Sequence, residues 1–223
     1  MNYGEGMAGM ADGLNVIVEM ARSRFQPFTY LEIGVANGQT LAAVSLEASK
    51  RGQGWRSVGV DLPDGYSLNK ANVEQNARGQ HLQVVIVTPD GTHDLDPVWN
   101  QVTLYLDDSQ ELIPRCWRAP VHLALIDACH CKACATTDFL NVEPYIQPGG
   151  IVMMHDFGED DIGIYQPRNH PEIDVRGACR DLGLLDNKRA GWEWIGTVTG
   201  DKTQGASDMG IFQASDMGIF QKL

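Results

Sequence analysis

Positive charge is scarce in this chain. Its 223 residues include 17 Lys and Arg against 29 Asp and Glu, for a formal net charge of -12. An acidic surface repels phosphate backbones and anionic headgroups, and no run of Lys and Arg offsets it locally, so neither nucleic acid nor a membrane is an expected partner. Long apolar runs are lacking as well. No stretch approaches the roughly 18 to 20 apolar residues that span a bilayer, and the N-terminus has no basic segment followed by an apolar one. The expectation is a soluble, cytoplasmic protein. Cysteine is sparse and odd in number, five in all, which excludes a secreted disulfide framework. Three of the five are Cys129, Cys131 and Cys134. A fourth zinc ligand at suitable spacing is not evident, and the haem-attachment order C-x-x-C-H is not met. The three therefore read as small buried thiols at a helix start.

What is present alternates between two periodicities. Leu14, Ile17, Val18 and Ala21 lie near helical spacing and predict an amphipathic helix over Gly9 to Phe25, stopped by Pro27. Short apolar runs predict strands at Tyr30 to Gly34, Ser57 to Asp61, His122 to Ile126 and Ile151 to Met154. Residues 81–88 and 102–106 compete for one further core strand. Helices are expected over Thr40 to Lys50, Leu68 to Arg78, Lys132 to Tyr145 and Val175 to Leu185, with a tight turn at Gln147 to Gly150. Trp192 to Val198 and Met217 to Phe220 read as a terminal strand pair.

This alternation predicts one α/β domain over residues 1–223, with residues 1–28 as a helical lead-in. The expected architecture is a Rossmann-like, doubly wound, mostly parallel sheet with an antiparallel terminal strand and helices on both faces. Ligands in such sheets sit outside the carboxyl ends of the strands. Ala206 to Gln213 reads ASDMGIFQ, and Ala214 to Gln221 repeats it unchanged. The period is too short for a solenoid. A recent duplication or an artefact is the plain reading, an extended last strand or assembly edge the functional one, and one copy suffices to finish the sheet.

The first strand runs into Glu32-Ile33-Gly34-Val35-Ala36-Asn37-Gly38. Gly34 and Gly38 permit a sharp turn and close approach to a ligand, beside a helix N-terminus with partial positive charge. The dinucleotide fingerprint G-x-G-x-x-G is not met, because Ala36 and Gln39 take its second and third glycine positions. That counts against a nicotinamide-dependent oxidoreductase. The pattern E-x-G-x-x-x-G instead resembles the first motif of class I S-adenosylmethionine-dependent methyltransferases. The resemblance implies that Glu32, Gly34, Ala36 and Gly38 wrap the amino-acid end of the cofactor. It also implies that Asp61, ending the second strand, holds the ribose hydroxyls, for which a carboxylate is a suitable acceptor. Asp108-Ser109 resembles the segment beside the adenine, although Asp107 stands where glycine is common; a surface turn is the other reading.

Residues 125–157 carry the most chemistry. They read L-I-D-A-C-H, then a helix containing Asp138, then P-G-G-I-V-M-M-H-D-F. Asp127 and Asp156 end neighbouring candidate strands, and adjacent strands lie about 4.8 Å apart. Two carboxylates would converge at the sheet edge, and a divalent cation would relieve their repulsion. His130, three residues on, reaches the same space. This segment resembles small-molecule methyltransferases related to the macrocin O-methyltransferases, loosely over residues 29–157 and specifically over 125–157. That resemblance implies a metal held by Asp127, His155 and Asp156, with His130 as a general base of near-neutral pKa and Asp127 also beside the cofactor. Imidazole at position 155 favours a transition metal over Mg²⁺. Glu159, Asp160 and Asp161 are alternative oxygen donors or a solvated acidic loop.

The expected activity is methyl transfer from S-adenosylmethionine to a small hydroxylated acceptor, with divalent-metal assistance. A metal-independent enzyme using His130 as base, and a catalytically silent cofactor-binding module, are the alternatives. Tyr165 to Pro171, Trp192 and Trp194 are candidates to line the acceptor pocket or the core. Dimers are common among proteins of that subgroup, which leaves a homodimer as a candidate assembly that the sequence itself does not demonstrate.

Overall fold

The computed structural model describes residues 8–63, 68–89, 95, 97–157, 173–198 and 217–223. Six helices occur among them: α1 (Ala8–Arg24), α2 (Gln39–Ser49), α3 (Lys70–Gly79), α4 (Ser109–Cys116), α5 (Lys132–Val142) and α6 (Val175–Asp181). The strands are β1 (Phe28–Ile33), β2 (Trp55–Asp61), β3 (Val84–Val87), β4 (Val102–Leu106), β5 (Val121–Ile126), β6 (Ile146–Met154), β7 (Trp192–Val198) and β8 (Met217–Lys222). They form one sheet in the order β3-β4-β2-β1-β5-β6-β8-β7. β8 alone runs against its neighbours, antiparallel to both β6 and β7. The doubly wound architecture expected from the alternation is therefore present.

β1, β2, β4 and β5 are buried along almost their whole length, as strands covered on both faces must be. On one face Leu14, Ile17 and Val18 of α1, Leu41 and Val44 of α2 and Val73 of α3 pack on Tyr30, Leu104, Leu123 and Met153. On the other, Leu112 and Ile113 of α4, Phe139 and Val142 of α5 and Ala178 of α6 pack on Leu31, Ile33, Val58, Val60 and Met154.

The two competing segments are both strands. β4 is the core strand, paired with β2, and β3 is an added edge strand paired with β4. Burial separates them: β4 is buried throughout, whereas Val85 of β3 is 42% exposed. Gln147 to Gly150 does not break the chain before a new strand. It lies within β6 as a bulge, where the register with β5 jumps from Val121↔Ile146 to Leu123↔Ile151. The helix expected to reach Tyr145 stops at Val142, because Pro144 forces a 3-10 turn over Glu143–Tyr145. α6 likewise ends at Asp181, four residues short of the expected Leu185.

α4 was not expected as a helix. It is only 8 residues long and contains Pro114, so neither periodicity nor composition reveals it. Of the repeated segment, residues 206–216 lie outside the described residues, and Met217 to Gln221 form most of β8. No helix among the described residues is long and apolar enough to cross a membrane.

Candidate active site

The carboxyl ends of β1, β2, β4, β5 and β6 meet along one edge, and all the motif residues lie there. After β1 the chain turns at Gly34, whose φ is +82°. A Cβ at this position would lie 2.2 Å from the Asp127 carbonyl oxygen, so only glycine lets the loop pass this close to the end of β5. Ala36 follows with φ +48°, a left-handed conformation held by its neighbours. Its carbonyl accepts the Asn69 N–H at 3.0 Å, and the Asn37 carbonyl accepts the Asn76 amide at 2.8 Å. Gly38, φ +74°, caps α2.

Asp61 ends β2 facing this loop. Its Oδ2 accepts the N–H groups of Val35 at 2.8 Å and Ala36 at 2.9 Å, and its Oδ1 accepts that of Leu62 at 2.8 Å. The carboxylate thus shapes the turn that would bind the cofactor. Glu32 is buried, and Tyr30 donates its phenolic O–H to Glu32 Oε2 at 2.6 Å. Burial pushes the Glu32 carboxyl well above the usual carboxylate range.

Asp108 and Ser109 stand at the end of β4, next to β2. Asp108 is a helix cap, its Oδ1 accepting the Gln110 N–H at 2.9 Å, which accounts for its surface-turn character. Ser109 donates to Asp138 Oδ1 at 2.8 Å. That buried carboxylate links α5 to α4, and burial pushes its pKa up to about 6 against the pull of Ser109 and Gln110. The sequence carried one signal for this contact, an aspartate among the apolar positions of α5.

Four side chains converge where β5 and β6 end. Asp127 Oδ1 is 3.1 Å from His130 Nε2 and 2.7 Å from His155 Nδ1. Asp156 Oδ2 is 2.8 Å from His130 Nδ1, and its Oδ1 is 3.5 Å from His155 Nδ1. β-strand pairing causes this convergence. Asp127 donates its N–H to the Ile33 carbonyl and His155 donates to that of Ile126, so the strand ends are level. Asp156 has φ +51°, and this left-handed turn carries the chain out of β6.

Burial lowers the proton affinity of both imidazoles, but the two carboxylates outweigh it. His130 is raised to about 10 and His155 is also raised. The near-neutral value expected for His130 is therefore corrected: an imidazole between two carboxylates keeps its proton. The carboxyl of Asp127 is held down, burial notwithstanding, by His155 and His130.

Ligand atoms of Asp127, His130 and His155 lie within 4.8 Å of one another, close enough to share one cation; the set expected from the sequence has Asp156, which lies against both imidazoles, where this trio has His130. Two carboxylates and two imidazoles suit a divalent transition ion better than Mg²⁺, which seeks oxygen alone. Trp192 is core, tilted against Phe139 with its N–H on Glu143, which is the second of the two expected placements. Trp194 packs beside Phe157, next to Asp156 in sequence. Glu159, Asp160, Asp161 and Tyr165 to Pro171 lie outside the described residues. The three cysteines are not the buried thiols expected: Cys129 is exposed and Cys131 and Cys134 are only half-buried.

A search of curated proteins finds no match. Solved structures do match. The O-methyltransferase TomG of Streptomyces achromogenes, in complex with SAM, aligns with a TM-score of 0.61 at 15% identity, covering 95% of this chain and 79% of that one. An O-methyltransferase of Bacillus cereus in complex with SAH gives 0.60 at 16%, covering 96% and 81%. The O-methyltransferase NovP gives 0.60 at 16%, covering 96% and 79%. Identities this low speak for the fold. A family model described as a methyltransferase domain matches residues 31–157, more than half of the chain and the whole of the edge from β1 to Phe157. The chain therefore belongs to this methyltransferase domain family.

Proposed function

We propose that the chain methylates an oxygen of a small hydroxylated acceptor, a vicinal diol or catechol-like group. The observation that carries this reading is the convergence of Asp127, His130, His155 and Asp156 against the Gly34 loop. Donor and acceptor sites then share one wall, as displacement at a sulfonium methyl requires.

Asp61 and the Gly34–Gly38 turn bind and orient the donor. Asp127, His155 and Asp156 would hold a divalent cation, which when bound lowers the pKa of an acceptor hydroxyl and fixes its orientation. With the carboxylates so engaged, His130 is the nearest imidazole to accept the hydroxyl proton. Asp127 keeps the His130 ring in place at 3.1 Å. A metal-independent enzyme using His130 as base is the second reading; there the Asp127 contact orients the imidazole, and His130 acts as base only after losing the proton that Asp127 and Asp156 hold on it.

The test is transfer of a labelled methyl group from S-adenosylmethionine to catechol and vicinal-diol acceptors, with EDTA or with Mg²⁺, Mn²⁺ or Co²⁺. Metal-stimulated transfer, abolished in Asp127→Asn with donor binding retained, is expected. Transfer unaffected by EDTA would favour the second reading. Donor binding without transfer to any acceptor under any condition would point to a silent module.

A further inference from the structure

The active-site cluster makes no use of Cys129, Cys131 and Cys134. Packing does not explain them either. Cys116 and Cys179 are the buried thiols of this chain, whereas Cys129 is exposed and its two neighbours are half-buried. All three sulfurs nevertheless lie within 4.8 Å of one another. The Cys129 S–H donates to Cys131 Sγ at 3.4 Å. Cys131 is the N-cap of α5, and its sulfur accepts the N–H of Cys134 at 3.4 Å.

The local fold explains the convergence. Side chains at the N-cap and three residues later share one side of a helix's first turn, which brings Cys131 and Cys134 together. Cys129 reaches them from the strand-to-helix loop. That loop is tied down by a bridge from Cys131 to Ile173 and by the Asp174 N–H on the His130 carbonyl at 3.0 Å. The His130 ring is turned to Asp127 and Asp156, so the imidazole between the cysteines belongs to the other cluster.

We propose that Cys129, Cys131 and Cys134 form a second cation site, separate from the carboxylate–imidazole centre, which takes one thiophilic divalent ion of the zinc class. Sulfurs about 2.3 Å from a tetrahedral zinc lie about 3.8 Å apart. The Cys129 and Cys131 sulfurs are 3.4 Å apart and all three lie within 4.8 Å, so small side-chain rotations reach that spacing. Each ligating thiol releases its proton to solvent as the metal–sulfur bond forms. The fourth position faces solvent on the Cys129 side and takes water or an exogenous ligand. Soft donors here and harder donors at Asp127 and Asp156 sort two kinds of cation onto one loop.

Co²⁺ titration of the reduced, full-length chain tests this, because sulfur-to-cobalt charge transfer marks thiolate ligation and the carboxylate–imidazole centre cannot produce it. A saturable charge-transfer band that is bleached by Zn²⁺ is expected. The band should survive in Asp127→Asn and be lost in Cys131→Ser and in Cys134→Ser. Serine is itself a good helix cap, so Cys131→Ser should keep the fold. Absence of the band in the wild-type chain, or its persistence in Cys131→Ser, would overturn the site.

Discussion

At Gly34 the backbone is left-handed and the missing Cβ would lie 2.2 Å from a carbonyl oxygen, so alanine meets two penalties at once. The left-handed backbone alone costs about 1 to 2 kcal/mol. Gly34→Ala should therefore destabilise the chain by at least that much in urea unfolding and abolish nucleoside binding. Two buried titrating groups make an opposed pair. His122 Nδ1 accepts the Thr29 N–H at 2.9 Å, and burial, helped by Arg56, lowers its pKa to about 4. Its contribution is complete above about 6.5 and is lost as pH falls to 4. Asp138, raised to about 6, behaves oppositely: its contribution is complete below about 3.8 and is lost as pH rises through 6. Each shift is worth roughly 3 kcal/mol, so the two nearly cancel between pH 4 and 6. Unfolding across that range should show His122→Asn making stability fall more steeply with rising pH, and Asp138→Asn making it rise. Unchanged slopes in both variants would contradict these assignments. The strand-end residues Asp127, His155 and Asp156 were legible in the sequence because Asp127 and the His155-Asp156 pair each directly follow an apolar run. The partnership of Asp138 with Ser109 was not, since it joins residues on two helices and only packing brings them together.

Among the elements, β8 shows how a repeated sequence acquires one register. The second ASDMGIFQ copy is followed by Lys222, whose Nζ donates to the carbonyls of Glu143 at 3.1 Å and Ile146 at 2.8 Å. The Leu223 N–H donates to the Gly191 carbonyl at 2.8 Å. The first copy is followed by Ala214 and Ser215 and cannot make the lysine contacts. Val198 and Met217 are direct partners across β7 and β8, and antiparallel neighbours need only about 2 to 5 connecting residues. Deleting Ala206 to Gln213 should therefore leave the melting temperature and donor binding unchanged; a large loss of either would show that the first copy has a structural role. Parallel strands and long helices were readable from periodicity. β3 and β4 were both visible as strands, but their ranking depends on which is covered, and coverage is a property of the assembled sheet. α4 was hidden by its length and its proline.

For the whole molecule, the decisive arrangement is a cofactor loop, an acidic strand end and a carboxylate–imidazole cluster on one edge of one sheet. The family assignment rests on residues 31–157, and the proposed chemistry rests on the side chains gathered there. Calorimetric titration of S-adenosylmethionine and S-adenosylhomocysteine into the purified chain tests this most directly. Saturable one-to-one binding of both is predicted, lost in Gly34→Ala and retained in Asp127→Asn. Binding of neither nucleoside, with or without added divalent metal, would contradict the account.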